Sequence, residues 1–127
     1  YGKSLREKYS NYSNIIMLDP IYNQKEIDVL RSNCHIYIHS HSQCGTAPSL
    51  VEAMNLDNAI ISFDVATNRV TTNNKAFYFN DKKSLISILE NTSINEIDKN
   101  RKDMTEISKD SYTWNRISNL YTNLFKN

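Results

Sequence analysis

Three features of the sequence predict an α/β domain: a parallel, Rossmann-like sheet with helices on both faces. Short β-branched and aromatic runs alternate with segments of helical periodicity, in the order strand, helix, strand, helix, strand. The runs are apolar without strict alternation, as expected of strands covered on both sides. The handedness of βαβ crossovers then leaves few topologies, of which the doubly wound sheet is the commonest, and about half of such a sheet is expected here.

The elements follow in order. Ser4 to Tyr12 is polar and helix-compatible. Asn14 to Leu18 is a short apolar run closed by Asp19-Pro20 and reads as a buried first strand. Asn23, with Glu26 three residues later, signals a helix start, and Ile27, Leu30 and Cys34 give that helix one apolar stripe. His35 to Ser40 is rich in β-formers and reads as a second strand. After a polar loop around Gly45 come a helix from about Pro48 to Asn55 and a third strand at Ala59 to Phe63, with Asn68 and Arg69 in the loop beyond it. A fourth short strand is expected at Ala76 to Phe79, then a helix over Asp81 to Glu90. Ser93 and Glu96 form a capping box for the next helix. The last helix, about 112–126, places Trp114, Ile117, Tyr121, Leu124 and Phe125 on one stripe, expected to pack in the core or against another domain.

Composition narrows the function classes. The 127 residues fit one domain, and neither repeats nor a linker divide them. With 15 basic and 14 acidic residues the net charge is +1, which removes the electrostatic signature of a nucleic-acid binder. No apolar run approaches the roughly 20 residues that span a bilayer. Two cysteines, Cys34 and Cys44, are too few for a disulfide scaffold and fit a reducing compartment. The first residue is Tyr1, not Met, so the chain is expected to be a piece of a longer protein.

Glycine is scarce: about nine are expected at this length, and only Gly2 and Gly45 occur. Gly45 lies in the loop His41-Ser42-Gln43-Cys44-Gly45-Thr46-Ala47-Pro48, between a strand and a helix, where open parallel sheets bind ligands. It lets the backbone turn sharply and lets a ligand approach closely. Thr46 is placed to cap the helix, and Pro48 suits its first turn. Free N–H groups there make an anion site, most naturally for phosphate. Glu52, one turn in, is placed to accept hydrogen bonds from ribose hydroxyls. The competing reading is an ordinary turn glycine and a solvated carboxylate.

These residues carry a resemblance. Pro48-Ser49-Leu50-Val51-Glu52-Ala53-Met54, followed by Ala59-Ile60-Ile61-Ser62-Phe63-Asp64, resembles the nucleotide-sugar half of family 4 glycosyltransferases, whose pattern is Glu-x7-Glu with the second Glu opening a Glu-Ala-Met run. Asn14–Leu18 resembles the family's "V-x-F-L-G" strand, Glu26–Ser40 its "Y-x-x-A-D" segment, and Tyr112-Thr113-Trp114 with Tyr121 its "Y-S-W…Y" helix. The chain departs at Cys44, which stands eight residues before Glu52 where the family has its first Glu. The stretch His39-x-His41-x-x-x-Gly45-Thr46-x-Pro48-Ser49-x-x-Glu52-Ala53 is closer to bacterial rhamnosyltransferase-like enzymes of capsule, O-antigen and exopolysaccharide synthesis, where a small residue replaces that Glu.

The resemblance implies the C-terminal, donor-binding domain of a GT-B fold, with the N-terminal acceptor domain absent from this chain. It implies retaining transfer of rhamnose or another hexose from a nucleoside diphosphate sugar to a saccharide or lipid-linked saccharide, with no metal or cofactor required. The expected location is cytoplasmic, at the inner face of the membrane if the full-length enzyme associates there. Carried over, Glu52 holds the ribose, and Cys44, Gly45, Thr46 and Ala47 hold the diphosphate and sugar. His39, His41 and Arg69 are further candidates for donor contacts. The fragment alone is expected to be inactive, for want of the acceptor half and of an earlier basic loop.

Other constellations compete. Cys34, His35, His39, His41 and Cys44 form a soft-ligand cluster, but without C-x2-C or H-x3-5-H spacing, so no metal site is expected. Cys34 reads as a small core residue. A Cys44–His41 nucleophilic pair lacks an evident third orienting group. The alternative function is a noncatalytic α/β nucleotide-binding or receiver-like module. For a receiver, Asp19 and Asp64 are too scattered and no strand-end lysine follows them.

Overall fold

The computed structural model describes residues 1–126. The chain runs α1 (Gly2–Tyr9), α2 (Gln24–Ser32), β1 (Ile36–His39), α3 (Pro48–Asn55), β2 (Ala59–Phe63), α4 (Ala66–Thr71), β3 (Phe77–Phe79), α5 (Lys82–Asn91), α6 (Ile94–Ser111) and α7 (Trp114–Leu124). The strands form one parallel sheet in the order β1-β2-β3, flanked by helices, the α/β architecture expected from the alternation.

Register explains the layering. Tyr37 pairs with Ile60, His39 with Ser62, and Ser62 with Tyr78, so these side chains share one face of the sheet. That face packs on Leu50, Ala53 and Met54 of α3 and Met104 and Ile107 of α6, the main core. Ile36, Ile61 and Phe77 point the other way, towards Ile88 and Leu89 of α5 and Ile97 of α6. Asn100, buried in α6, ties the layers: its Oδ1 accepts the Ile60 N–H at 2.7 Å and its Nδ2 donates to the Lys75 carbonyl at 2.8 Å. A buried N–H left without that acceptor would cost about 1–3 kcal/mol.

The capping signals behave as chemistry requires. Asn23 accepts from the Lys25 N–H to start α2. Ser93 and Glu96 form the full reciprocal box at the head of α6. Asp81 and Ser84 do the same for α5. Thr46, in contrast, does not cap α3: the cap position is Ala47, with no side-chain hydrogen bond, and Pro48 follows it.

Three expectations need correcting. No strand forms at 14–18, where Ile16 is 81% exposed. The Arg6 guanidinium donates to the carbonyls of Met17 (3.0 Å) and Leu18 (2.9 Å), acceptors that a strand would use in its ladder. Neither α1 nor α2 has a buried residue, so no layer covers the run. Secondly, α7 buries no residue, and Trp114 and Phe125 are almost fully exposed, so its apolar stripe is not core in this chain. Thirdly, Cys34 is only half-buried, its thiol donating to the Leu30 carbonyl.

Gly45 is not where the backbone turns left-handed. The residues with positive φ are Asp57 (60°), Asn73 (48°) and Asn74 (57°). Asp57 and Asn73 directly follow the C-caps of α3 and α4, where short polar side chains tolerate the left-handed region. Asp and Asn thus do the work that glycine does in most chains.

Candidate functional site

The carboxyl ends of β1 and β2, the loop 40–47 and the head of α3 converge on one corner of the sheet. The first helical bonds of α3 run from Leu50 and Val51 to the Ala47 carbonyl. Ahead of them, the backbone N–H groups of Gly45, Thr46, Ala47 and Ser49 find no acceptor among the described residues. These donors, with the positive end of the helix, favour an anion. A Cβ built on Gly45 meets nothing within 4 Å, so the space beside this backbone is open.

A cleft of about 630 Å³ runs from this corner along α3 to α7, lined by Thr46, Pro48, Glu52, Tyr112, Trp114 and Ile117 among others. Such a volume suits a small-molecule ligand. Tyr112 is anchored by a hydrogen bond from its hydroxyl to the Thr71 carbonyl (3.0 Å), whereas the Trp114 indole stands free. A concavity at Lys75, Phe77 and Asp103 lies at the amino end of β3, away from the end where parallel sheets bind ligands.

Glu52 lines the cleft in an ion pair that sequence spacing did not reveal. Its Oε2 accepts from Arg31 of α2, 21 residues earlier in the chain. The pair fixes the orientation of the carboxylate, and Oε1 is left for another donor. Arg69 is more committed. It grips Asp64 with two hydrogen bonds (2.5 and 2.8 Å) and lies 4.2 Å over the Tyr78 ring. That bond, foremost, holds the Asp64 carboxyl below its usual range and raises the arginine. The pair uses Nε and Nη2, and Nη1 makes no hydrogen bond among the described residues. Arg69 also belongs to α4, a helix that the sequence reading placed in a loop. No local signal announced that helix, because Val65 provides no side-chain cap.

Next to the anion corner stand His39, His41 and Cys44. His39 ends β1 and is 2% exposed, His41 is exposed, and Cys44 is half-buried against the core. The imidazoles meet edge to face with ring centres 4.8 Å apart. Burial, and then the neighbouring His41, hold His39 below the ordinary histidine range. The Cys44 Sγ lies 3.9 Å from His39 Nε2. Buried Asn68 donates through Nδ2 to the carbonyls of His41 (3.1 Å) and Phe63 (3.0 Å), which pins the loop. Its Oδ1 is thereby turned to Cys44 Sγ, 3.9 Å away. Of the five soft residues in the sequence, these three come together; Cys34 and His35 stand outside the group.

No helix among the described residues is long and apolar enough to cross a membrane. Comparison with family models, with curated proteins and with solved structures gives no match.

Proposed function

We propose that the chain is the donor-binding part of a retaining glycosyltransferase, taking a nucleoside diphosphate sugar. One observation carries the reading: Thr46, whose N–H has no acceptor among the described residues, the oriented carboxylate of Glu52 and Trp114 line a single cleft. A nucleoside diphosphate matches that sequence of chemistries. Its phosphates meet the helix head, its ribose hydroxyls donate to Glu52, and its base has an aromatic face within the same concavity. Fixed donors aimed at the diphosphate stabilise it as a leaving group, while an oxocarbenium-like sugar forms beside it. No residue of this domain needs to act as a base, and the step requires no metal.

On this reading the sugar is rhamnose or another hexose, and the acceptor is a surface saccharide or glycolipid held by a second domain. The full-length enzyme works on the cytoplasmic side, at the membrane face. The test is direct titration by calorimetry or NMR with uridine, guanosine and thymidine diphosphates. Binding of at least one is expected, and Glu52→Ala should weaken it by about ten- to a hundredfold, the loss of one charge-assisted hydrogen bond. A folded Glu52→Ala variant that binds as well as the parent overturns the ribose assignment. Failure of all three nucleotides with the parent overturns the donor-domain reading in favour of a noncatalytic module.

A further inference from the structure

We propose that His39, His41 and Cys44 form a zinc-binding site at the carboxyl end of β1. Their ligand atoms all lie within 4.8 Å of one another. Across a tetrahedral zinc, bonds of 2.3 Å to sulfur and 2.0–2.1 Å to nitrogen put those two atoms about 3.6 Å apart. Cys44 Sγ and His39 Nε2 stand at 3.9 Å, within a few tenths of an ångström of that. A pair at the 4.8 Å limit must close by about 1.2–1.5 Å, a movement that falls to the exposed His41 side chain.

The arrangement is more than three soft residues on a surface. His39 ends β1, and His41, two residues on, lays its ring against that of His39 with centres 4.8 Å apart. Cys44 returns to them because the loop is clamped by Asn68, whose Nδ2 bonds hold the His41 and Phe63 carbonyls. The site is therefore preorganised by a buried side chain from a different element. Imidazole and thiolate together favour zinc over magnesium or calcium, which take oxygen. Three protein ligands leave a fourth position, and an open concavity lined by Ser40, His41, Ser42 and Gln43 brings solvent to the His41 side of the cluster. Binding deprotonates the Cys44 thiol and releases that proton to buffer.

The inference shares His39, His41 and Cys44 with the donor contacts that the resemblance implies, but it rests on their ligand geometry alone, and its test contains no nucleotide. Cobalt(II) serves as the coloured probe, added to the tag-free chain under a non-thiol reductant. The expected result is a cobalt–thiolate charge-transfer band with the intense visible bands of a tetrahedral ion, both displaced by zinc. Cys44→Ser should abolish the thiolate band, while Cys34→Ser keeps it. His41→Ala alters an exposed side chain, so it should leave the circular dichroism unchanged and weaken metal binding at least about tenfold. A parent chain with no thiolate band overturns the proposal. So does a band that survives Cys44→Ser, one that is lost in Cys34→Ser, or undiminished affinity in a folded His41→Ala.

Discussion

Two apolar runs of similar composition meet opposite fates in this chain. Ala59-Ile60-Ile61 becomes the central strand, with every residue at 1% exposure or less. Ile15-Ile16-Met17-Leu18 forms no strand, and its members are 38–81% exposed. The difference lies in partners. β2 has a strand on each edge, with α3 and α6 on one face and α5 beyond the other. The earlier run has the Arg6 guanidinium on two of its carbonyls and no helix with a buried face beside it. An apolar run becomes a strand when an edge and a cover are both offered, and composition reports neither.

The largest expected effect breaks or keeps this contrast outright. Leu50→Ala, at a position fully buried under the sheet, should destabilise the domain by about 2–5 kcal/mol. Ile16→Ala should change stability by less than about 0.5 kcal/mol, as exposed substitutions generally do. Urea unfolding of the two variants measures both. Comparable losses would mean that residues 14–18 are folded into the cooperative unit after all.

How much was legible follows the same division. The bounds of α3 and β2 could be read closely, because Pro48 marks the helix start and a compact apolar run fills the strand. The Ser93–Glu96 box was legible because its chemistry is local, three residues apart. The α4 helix was missed because Ala-Thr-Asn-Arg-Val-Thr carries neither an apolar stripe nor a capping side chain. The Arg31–Glu52 pair was invisible because 21 residues separate the partners, and only the fold brings Arg31 of α2 to Glu52 of α3. At the candidate site the sequence pointed to the loop 41–48, but not to the side chains that the fold gathers beside it. The soft trio depends on how Asn68 folds that loop back, which no spacing rule encodes. The turn chemistry went to Asp57, Asn73 and Asn74 rather than to Gly45.

A smaller effect sharpens the contrast through acid. In the body of the domain, Asp81 and Glu96 lie below their usual carboxyl range. For Asp81 the backbone N–H of Ser84 is the main cause, and for Glu96 the side-chain hydrogen bond from Ser93. A depressed carboxyl contributes stability that is present above its unfolded value, about 3.9 for Asp and 4.3 for Glu. That stability is lost as pH falls through the folded one, because the unfolded chain takes up the proton first. The helix α1 has no side-chain cap. Unfolding of the body should therefore grow easier as the pH is taken below about 4. Asp81→Asn keeps a capping oxygen and should flatten that part of the profile while costing little at pH 7. Thermal melts across the acid range decide it; an unchanged slope in Asp81→Asn would place the acid sensitivity elsewhere.

At Gly45 no loss of stability is expected, and there the contrast is between folding and binding. Its φ is not in the left-handed region, and a Cβ there has no neighbour within 4 Å. Nothing in the fold requires a glycine, so Gly45→Ala should leave stability unchanged or raise it by about 0.4–1 kcal/mol, through lost freedom of the unfolded chain. On the proposed reading, what a Cβ at Gly45 would meet is a ligand drawn onto the free N–H groups of Gly45, Thr46, Ala47 and Ser49. The variant should therefore bind a nucleoside diphosphate more weakly than the parent, while affinity for the bare nucleoside, held by Glu52 and the aromatic wall, stays the same. A drop in melting temperature would return Gly45 to a structural role. Equal losses for nucleoside and diphosphate would remove the phosphates from the head of α3, and with them the reason for an open backbone there.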